Sequence, residues 1–226
     1  MDRLIFEDLK EFAEKEYPGF EIKVKEESSL MKAANVVLKL FNPDFMTGYV
    51  TTIGKTIYMP RKRFDDYPWE TLAHELVHID DSERAWGGSK FWGFLYLCPQ
   101  ILAVLVLLAP IGALLFGSCA WWLLLFVLCA APFPAWWRAK AEMRGYSMSL
   151  AARYWFEGDV DKPYKDHVLS KFTGWDYFKM WPFKKAVQSW IDDVVSKLEN
   201  GSSLMEMGPV HYRMCSILKS RGALNG

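Results

Sequence analysis

Residues 74–78 read His-Glu-Leu-Val-His, inside the stretch "TLAHELVHIDD". Four residues on a helix advance about 1.1 turns, so His74 and His78 project from one face and both imidazoles reach a single ion. Imidazole nitrogen suits zinc, and a catalytic zinc takes three protein ligands while keeping a fourth position for water. Glu75 follows His74 directly and stands beside that water as a general base. The motif predicts one zinc ion per chain, provided that it lies on a helix. Its neighbours predict that helix: Pro68 suits a first helical position, Leu72, Leu76 and Ile79 form an apolar face, and Gly87-Gly88 end it.

A third ligand must come from another part of the chain. Residues 91–137, from "FWGFLYLCPQ" to "PFPAWW", contain no charged side chain, and only Gln100 and Ser118 are strongly polar. A spanning helix needs about 20 apolar residues. This block is too long for one span, so it predicts a transmembrane helical hairpin, with spans at 91–109 and 119–137 joined by "PIGALLFGS". Arg84, Lys90, Arg138, Lys140 and Arg144 flank it, and the turn has no charge. The positive-inside tendency then predicts an integral membrane protein with both charged segments facing the cytoplasm and lipid around the hairpin.

Such a hairpin returns residue 138 close to where residue 90 left. Glu142, on the helix that follows, becomes the first choice for the third ligand. Asp81, three residues after His78, is the rival; it and Asp80 also suit outer partners of a ligand histidine. His167 and His211 are the other two histidines. Each is an alternative ligand or a donor to a transition-state oxyanion, or else an ordinary histidine.

The remaining elements follow from periodicity. "RLIFEDLKEFAEKEY" places Leu4, Ile5, Leu9 and Phe12 on one helical face, and Pro18-Gly19 stop it. "FEIKVKE" alternates as a strand does, "SLMKAANVVLKLF" returns to helical spacing, and "YVTTIGKTIYMP" reads as two strands turning at Gly54-Lys55. This hairpin offers an edge strand for pairing with an extended peptide. "RAKAEMRGYSMSLAARYWFEG" is a helix ending at Gly158, and short helices broken at Pro163, Gly174, Pro182 and Gly201 complete the chain. The aromatic run "FTGWDYFKMWPF" reads as core.

The fold class predicted is α+β and mainly helical, a zincin-like domain with a small β-sheet interrupted by the hairpin. Residues 1–90 carry the histidine helix, 91–137 the hairpin and 138–226 the helix of the third ligand. The chain has 226 residues, with 27 basic side chains against 27 acidic, so no net field recruits nucleic acid. Three of the four cysteines lie in the apolar block and form no disulfide framework. The start, "MDRLIFEDLKEF", lacks the layout of a signal peptide.

His74-Glu75-x-x-His78, an apolar hairpin and a glutamate opening a new helix together resemble the gluzincin zinc peptidases. The layout is most similar to the membrane-integrated HtpX and CAAX-prenyl-protease group. The resemblance covers about residues 68–150. It implies zinc ligands His74, His78 and Glu142, with Glu75 as base. The chain departs from that group at Tyr146, where the family usually has an acidic residue, and in lacking apolar spans before His74. Tyr146 and His211 are the candidates for stabilising the oxyanion.

The function expected is a membrane-anchored zinc endopeptidase acting on a peptide or protein substrate. The alternatives are a non-enzymatic membrane adaptor with a structural metal site, and a soluble zinc peptidase whose apolar hairpin covers a partner or a lipidic substrate.

Overall fold

The computed structural model describes residues 1–39, 43–99, 102, 105, 106, 108–130, 134–175, 179–201 and 208–224. They form a mainly helical body with one three-stranded sheet. Helix α1 (Asp2–Glu16) leads to β1 (Glu21–Val24), a short 3-10 turn (Lys25–Glu27), α2 (Ser29–Leu38) and α3 (Phe45–Gly48). Strands β2 (Thr51–Ile53) and β3 (Thr56–Met59) turn at Gly54-Lys55 as the sequence predicts, and α4 (Arg61–Asp65) follows. In the sheet β3 is central, antiparallel to β2 and parallel to β1, so β2 is an edge strand. The parallel pairing joins segments 35 positions apart in register, Glu21 opposite Thr56 through Val24 opposite Met59.

Helix α5 (Trp69–Arg84) carries the histidine motif and runs through the core. Leu72, Leu76 and Ile79 are fully buried, as their spacing predicts. On α1 the buried set is Ile5, Phe6, Leu9 and Ala13, a stripe rotated from the expected one, so that Leu4 is exposed and Phe12 only partly covered. The i, i+4, i+8 row of Ile5, Leu9 and Ala13 is fully buried in the core, where α1 packs on α5 and α11.

The apolar block does not form the expected transmembrane hairpin. No helix among the described residues is long and apolar enough to cross a membrane. The block is divided into α6 (Gly88–Leu97), α7 (Ala109–Phe116) and a 3-10 helix (Gly117–Ala130). Proline accounts for the first break: Pro99 has no N–H to donate and pushes Cys98 to an extended ψ of 144°. Pro110 then opens α7 at its first turn, and Gly117, at φ 70°, closes it. The 10-residue α6 stands where the first span was expected and the 8-residue α7 falls on the expected turn, each well short of the roughly 20 residues a span needs. The integral membrane location, the cytoplasmic orientation and the surrounding lipid rested on those spans and are withdrawn with them. Gln100, and residues 131–133 of the second expected span, lie outside the described residues.

The helices at the two ends of the block lie together on α5. Helix α6 packs on α5, and α8 (Trp136–Glu157) packs along both. Helices α9 (Lys162–Thr173), α10 (Lys184–Glu199) and α11 (Pro209–Ser220) close the core around Met148, Ala152, Phe172, Ile191 and Met214. Pro163 lies in the first turn of α9 rather than breaking a helix, and the Asp161 carboxylate accepts from the Tyr164 N–H at 3.1 Å. Of the aromatic run, Phe172 and Met180 join the core, Trp175 is exposed, and 176–178 lie outside the described residues.

One polar tie fixes α5 to the end of α1. The buried Asp80 carboxylate accepts from the Tyr17 hydroxyl at 3.0 Å and from Arg84 Nε at 2.8 Å. Burial, followed by the adjacent Asp80 charge, pushes the Tyr17 phenol up, so it remains a donor. Tyr17→Phe is expected to lower stability by about 1.5 kcal/mol, the value of a hydrogen bond to a charged group, as measured by urea unfolding. A change below about 0.5 kcal/mol would mean that Arg84 alone satisfies Asp80.

Candidate metal centre

On α5 the rings of His74 and His78 meet edge to face, with their centroids 4.8 Å apart and the two Nε2 atoms 3.1 Å apart. Glu142, one and a half turns into α8, projects between them. Its Oε2 lies 3.5 Å from His74 Nε2 and its Oε1 3.8 Å from His78 Nε2. Ligating atoms of the three residues all lie within 4.8 Å of one another. All three are buried, with 8%, 6% and 3% of their surface exposed for His74, His78 and Glu142.

The donor set fits a divalent cation. Two imidazole nitrogens and one carboxylate oxygen converge, a donor set that zinc accepts. Glu142 Oε2 is buried without a hydrogen-bond donor, and the facing Nε2 atoms need a proton or a cation between them. Burial alone would raise the Glu142 pKa, but the His74 contact, the two imidazoles and a hydrogen bond from Tyr96 hold it down at about 2. Burial pulls His74 down too, yet Glu142 and Glu75 outweigh it and leave His74 raised; for His78 burial prevails and the net direction is down.

Three partners orient these ligands. The Ser149 hydroxyl donates to the Gly145 carbonyl oxygen at 3.4 Å, leaving its oxygen to accept from His74 Nδ1–H at 3.1 Å. With Nδ1 turned to Ser149, Nε2 is the nitrogen that faces Glu142. The Tyr96 hydroxyl donates to Glu142 Oε1. Tyr96 and Trp92 of α6 stack at 5.3 Å, and each ring lies 6.1 Å from that of His78. The first helix of the apolar block thus sets aromatic rings against His78 and a hydroxyl against Glu142.

Glu75 faces a cavity of about 640 Å³ that is also lined by His74, Tyr49, Tyr146, Ser149 and Tyr164. Its Oε2 accepts from the Thr52 hydroxyl of β2 at 2.6 Å. Tyr146, one turn after Glu142, sets its ring 4.7 Å from His74, edge to face. Asp81 is held by Arg144, whose Nε donates to both carboxylate oxygens at 2.8 and 2.9 Å, and it is outside the ligand group. His167 lines the cavity without joining the cluster. His211 packs on Trp155 at 4.7 Å, and burial pulls its pKa down to about 4. Trp155 lies 13 residues along α8 from Glu142, or roughly 20 Å at 1.5 Å per residue, which leaves His211 away from the oxyanion role.

Thr52, Tyr96, Gly145 and Ser149 were not singled out from the sequence. Ser149 and Gly145 carried a signal in retrospect: Ser149 is seven residues from Glu142, on its helical face, and Gly145 interrupts a helical pattern where only close packing justifies it. Thr52 and Tyr96 act across tertiary contacts that periodicity does not report.

No family model, curated protein or solved structure matches the chain.

A Cβ added at Gly145 would lie 2.7 Å from both Cε1 and Nε2 of His74. Gly145→Ala is therefore expected to turn that ring out of line and weaken zinc binding by about 10–100-fold, the range for lost support of a ligand histidine. Competition with a chromogenic chelator measures it. Unchanged affinity would mean that α8 can withdraw without disturbing the site.

Proposed function

We propose that the chain is a zinc-dependent endopeptidase in which His74, His78 and Glu142 hold the metal and Glu75 is the general base. The observation that carries this reading is the convergence of three buried ligands beside a cavity into which the adjacent glutamate points. Zinc bound there supplies Lewis acidity and lowers the pKa of a water molecule.

The chain's own groups do the rest. Thr52 occupies Glu75 Oε2, which fixes the carboxylate and leaves Oε1 to accept a proton from the attacking water. Glu75 then delivers that proton to the leaving amine. Tyr146, on the cavity wall against His74, is the group assigned to the carbonyl oxygen as negative charge develops. Strand β2 has one side paired with β3, and its other edge provides backbone groups for an extended peptide to pair with.

Three ligands favour hydrolysis over a structural site, since structural zinc is usually closed by four protein donors. Among the described residues the ligand group stops at three, and Arg144 engages the nearby Asp81.

Glu75→Gln is expected to keep one zinc per chain while lowering peptide cleavage by about 10²–10⁴-fold, the usual contribution of a positioned general base. Metal analysis alongside hydrolysis of a mixed-sequence peptide library measures both. A Glu75→Gln protein that cleaves as fast as the parent would remove Glu75 from the mechanism.

A further inference from the structure

Lys25 follows β1 and opens the short 3-10 turn, and none of its surface is exposed. Its ammonium donates to the Phe45 carbonyl oxygen at 2.6 Å, the Tyr49 carbonyl oxygen at 2.8 Å and Thr51 Oγ1 at 2.9 Å. It also lies 3.7 Å from the centroid of the Phe45 ring. An ammonium has three N–H donors, so this one is fully used, and every acceptor belongs to the segment 45–51.

That segment is one wall of the cavity. Thr47, Gly48, Tyr49 and Val50 line it, and the chain runs on into β2, where Thr52 holds the base Glu75. Val50 packs against the hydrophobic core and α3 contacts α2, but the polar ties from Lys25 fall on the stretch between them. Helix α3 is only four residues long, too short to satisfy its own terminal carbonyls. None of its residues is buried.

We propose that Lys25 is a positioning residue that clamps the cavity wall 45–51 and, through it, the β2 edge and Thr52, so that Glu75 and a bound peptide meet in reacting geometry. The inference rests on the hydrolase reading. An apolar side chain would fill the same space without the cost of burying a charge. Burial pulls the Lys25 pKa down to about 8, with Glu26 and Glu75 favouring the charged form and Arg63 opposing it. At neutral pH the ammonium therefore keeps all three donors. A side chain kept at that cost, with every bond directed at the cleft wall, serves the wall's position.

The test compares the parent full-length chain with Lys25→Met, which keeps the apolar stem and removes the donors. Zinc content is expected to stay at one per chain. The kcat/KM for a cleaved peptide is expected to fall by about a hundredfold, the scale of an ångström of misplacement. Hydrogen exchange should lose protection selectively over residues 45–53. Because both act through Glu75, Lys25→Met combined with Thr52→Val should lose little more than Lys25→Met alone. Full activity with unchanged exchange, or strictly additive losses, would overturn the clamp. Should Lys25→Met fail to unfold cooperatively, Thr51→Val removes one acceptor and carries the test: selective loss of protection with a smaller fall in turnover supports the clamp, and no change in either overturns it. If the parent releases no peptide product, the hydrolase reading fails by itself. Exchange over 45–53 then decides the clamp, with lost protection in the variant supporting it and unchanged protection overturning it.

Discussion

Helices α5 and α8 meet at Gly145, where the imidazole of His74 occupies the space in which any larger residue would place its Cβ. That contact sets the depth at which α8 lies on α5, and so the reach of Glu142, three residues earlier on the same helix. The hydrogen bond from His74 Nδ1 to Ser149 uses the next turn of α8, so one ring is seated by the backbone and oriented by a hydroxyl. A helix standing off by the radius of a methyl group would carry the carboxylate out of range of both Nε2 atoms.

The body also holds charge where a stability optimum would not. Lys25, Asp80 and Glu142 are all buried, and each sits at a different level of organisation. Asp80 ties α1 to α5 through Tyr17, Glu142 faces the two imidazoles, and Lys25 holds the cavity wall. Buried charges are tolerated when every one finds partners, and leaving one unpaired is more costly than never burying it. Asp80 and Lys25 are satisfied by the chain itself. Glu142 Oε2 is the exception, and a cation held by the three side chains, as we propose, would supply the partner.

Much of this arrangement could be read before any coordinates. The spacing of His74 and His78 places two rings on one helical face, and the spacing of Leu72, Leu76 and Ile79 marks an apolar face that is buried, although the histidine face is buried too. Glu142 could be reached only through topology: a long uncharged excursion that begins beside α5 must return beside it. The helices on either side of the excursion, α6 and α8, do both pack on α5, without a membrane-spanning hairpin among the described residues. Hydropathy counts apolar residues without asking whether the backbone continues as one helix. Pro99 interrupts the first expected span after α6, and Pro110 and Gly117 bound the next helix. The parallel pairing of β1 with β3 and the contacts made by Thr52 and Tyr96 bring together residues far apart in sequence, which local periodicity does not encode. His211 shows the converse, since its residue type suggested chemistry and its place against Trp155 is in the core.

In the proposed site two imidazoles and one carboxylate hold a single ion with a position left open. Zinc K-edge X-ray absorption on the full-length protein, loaded with one equivalent of zinc, tests it most directly. Four light scatterers at about 2.0–2.2 Å are expected, two of them with the outer-shell signature of imidazole, and one oxygen donor should be lost in Glu142→Ala. A sulfur shell at about 2.3 Å, fewer than two histidines, or no retained zinc would contradict it.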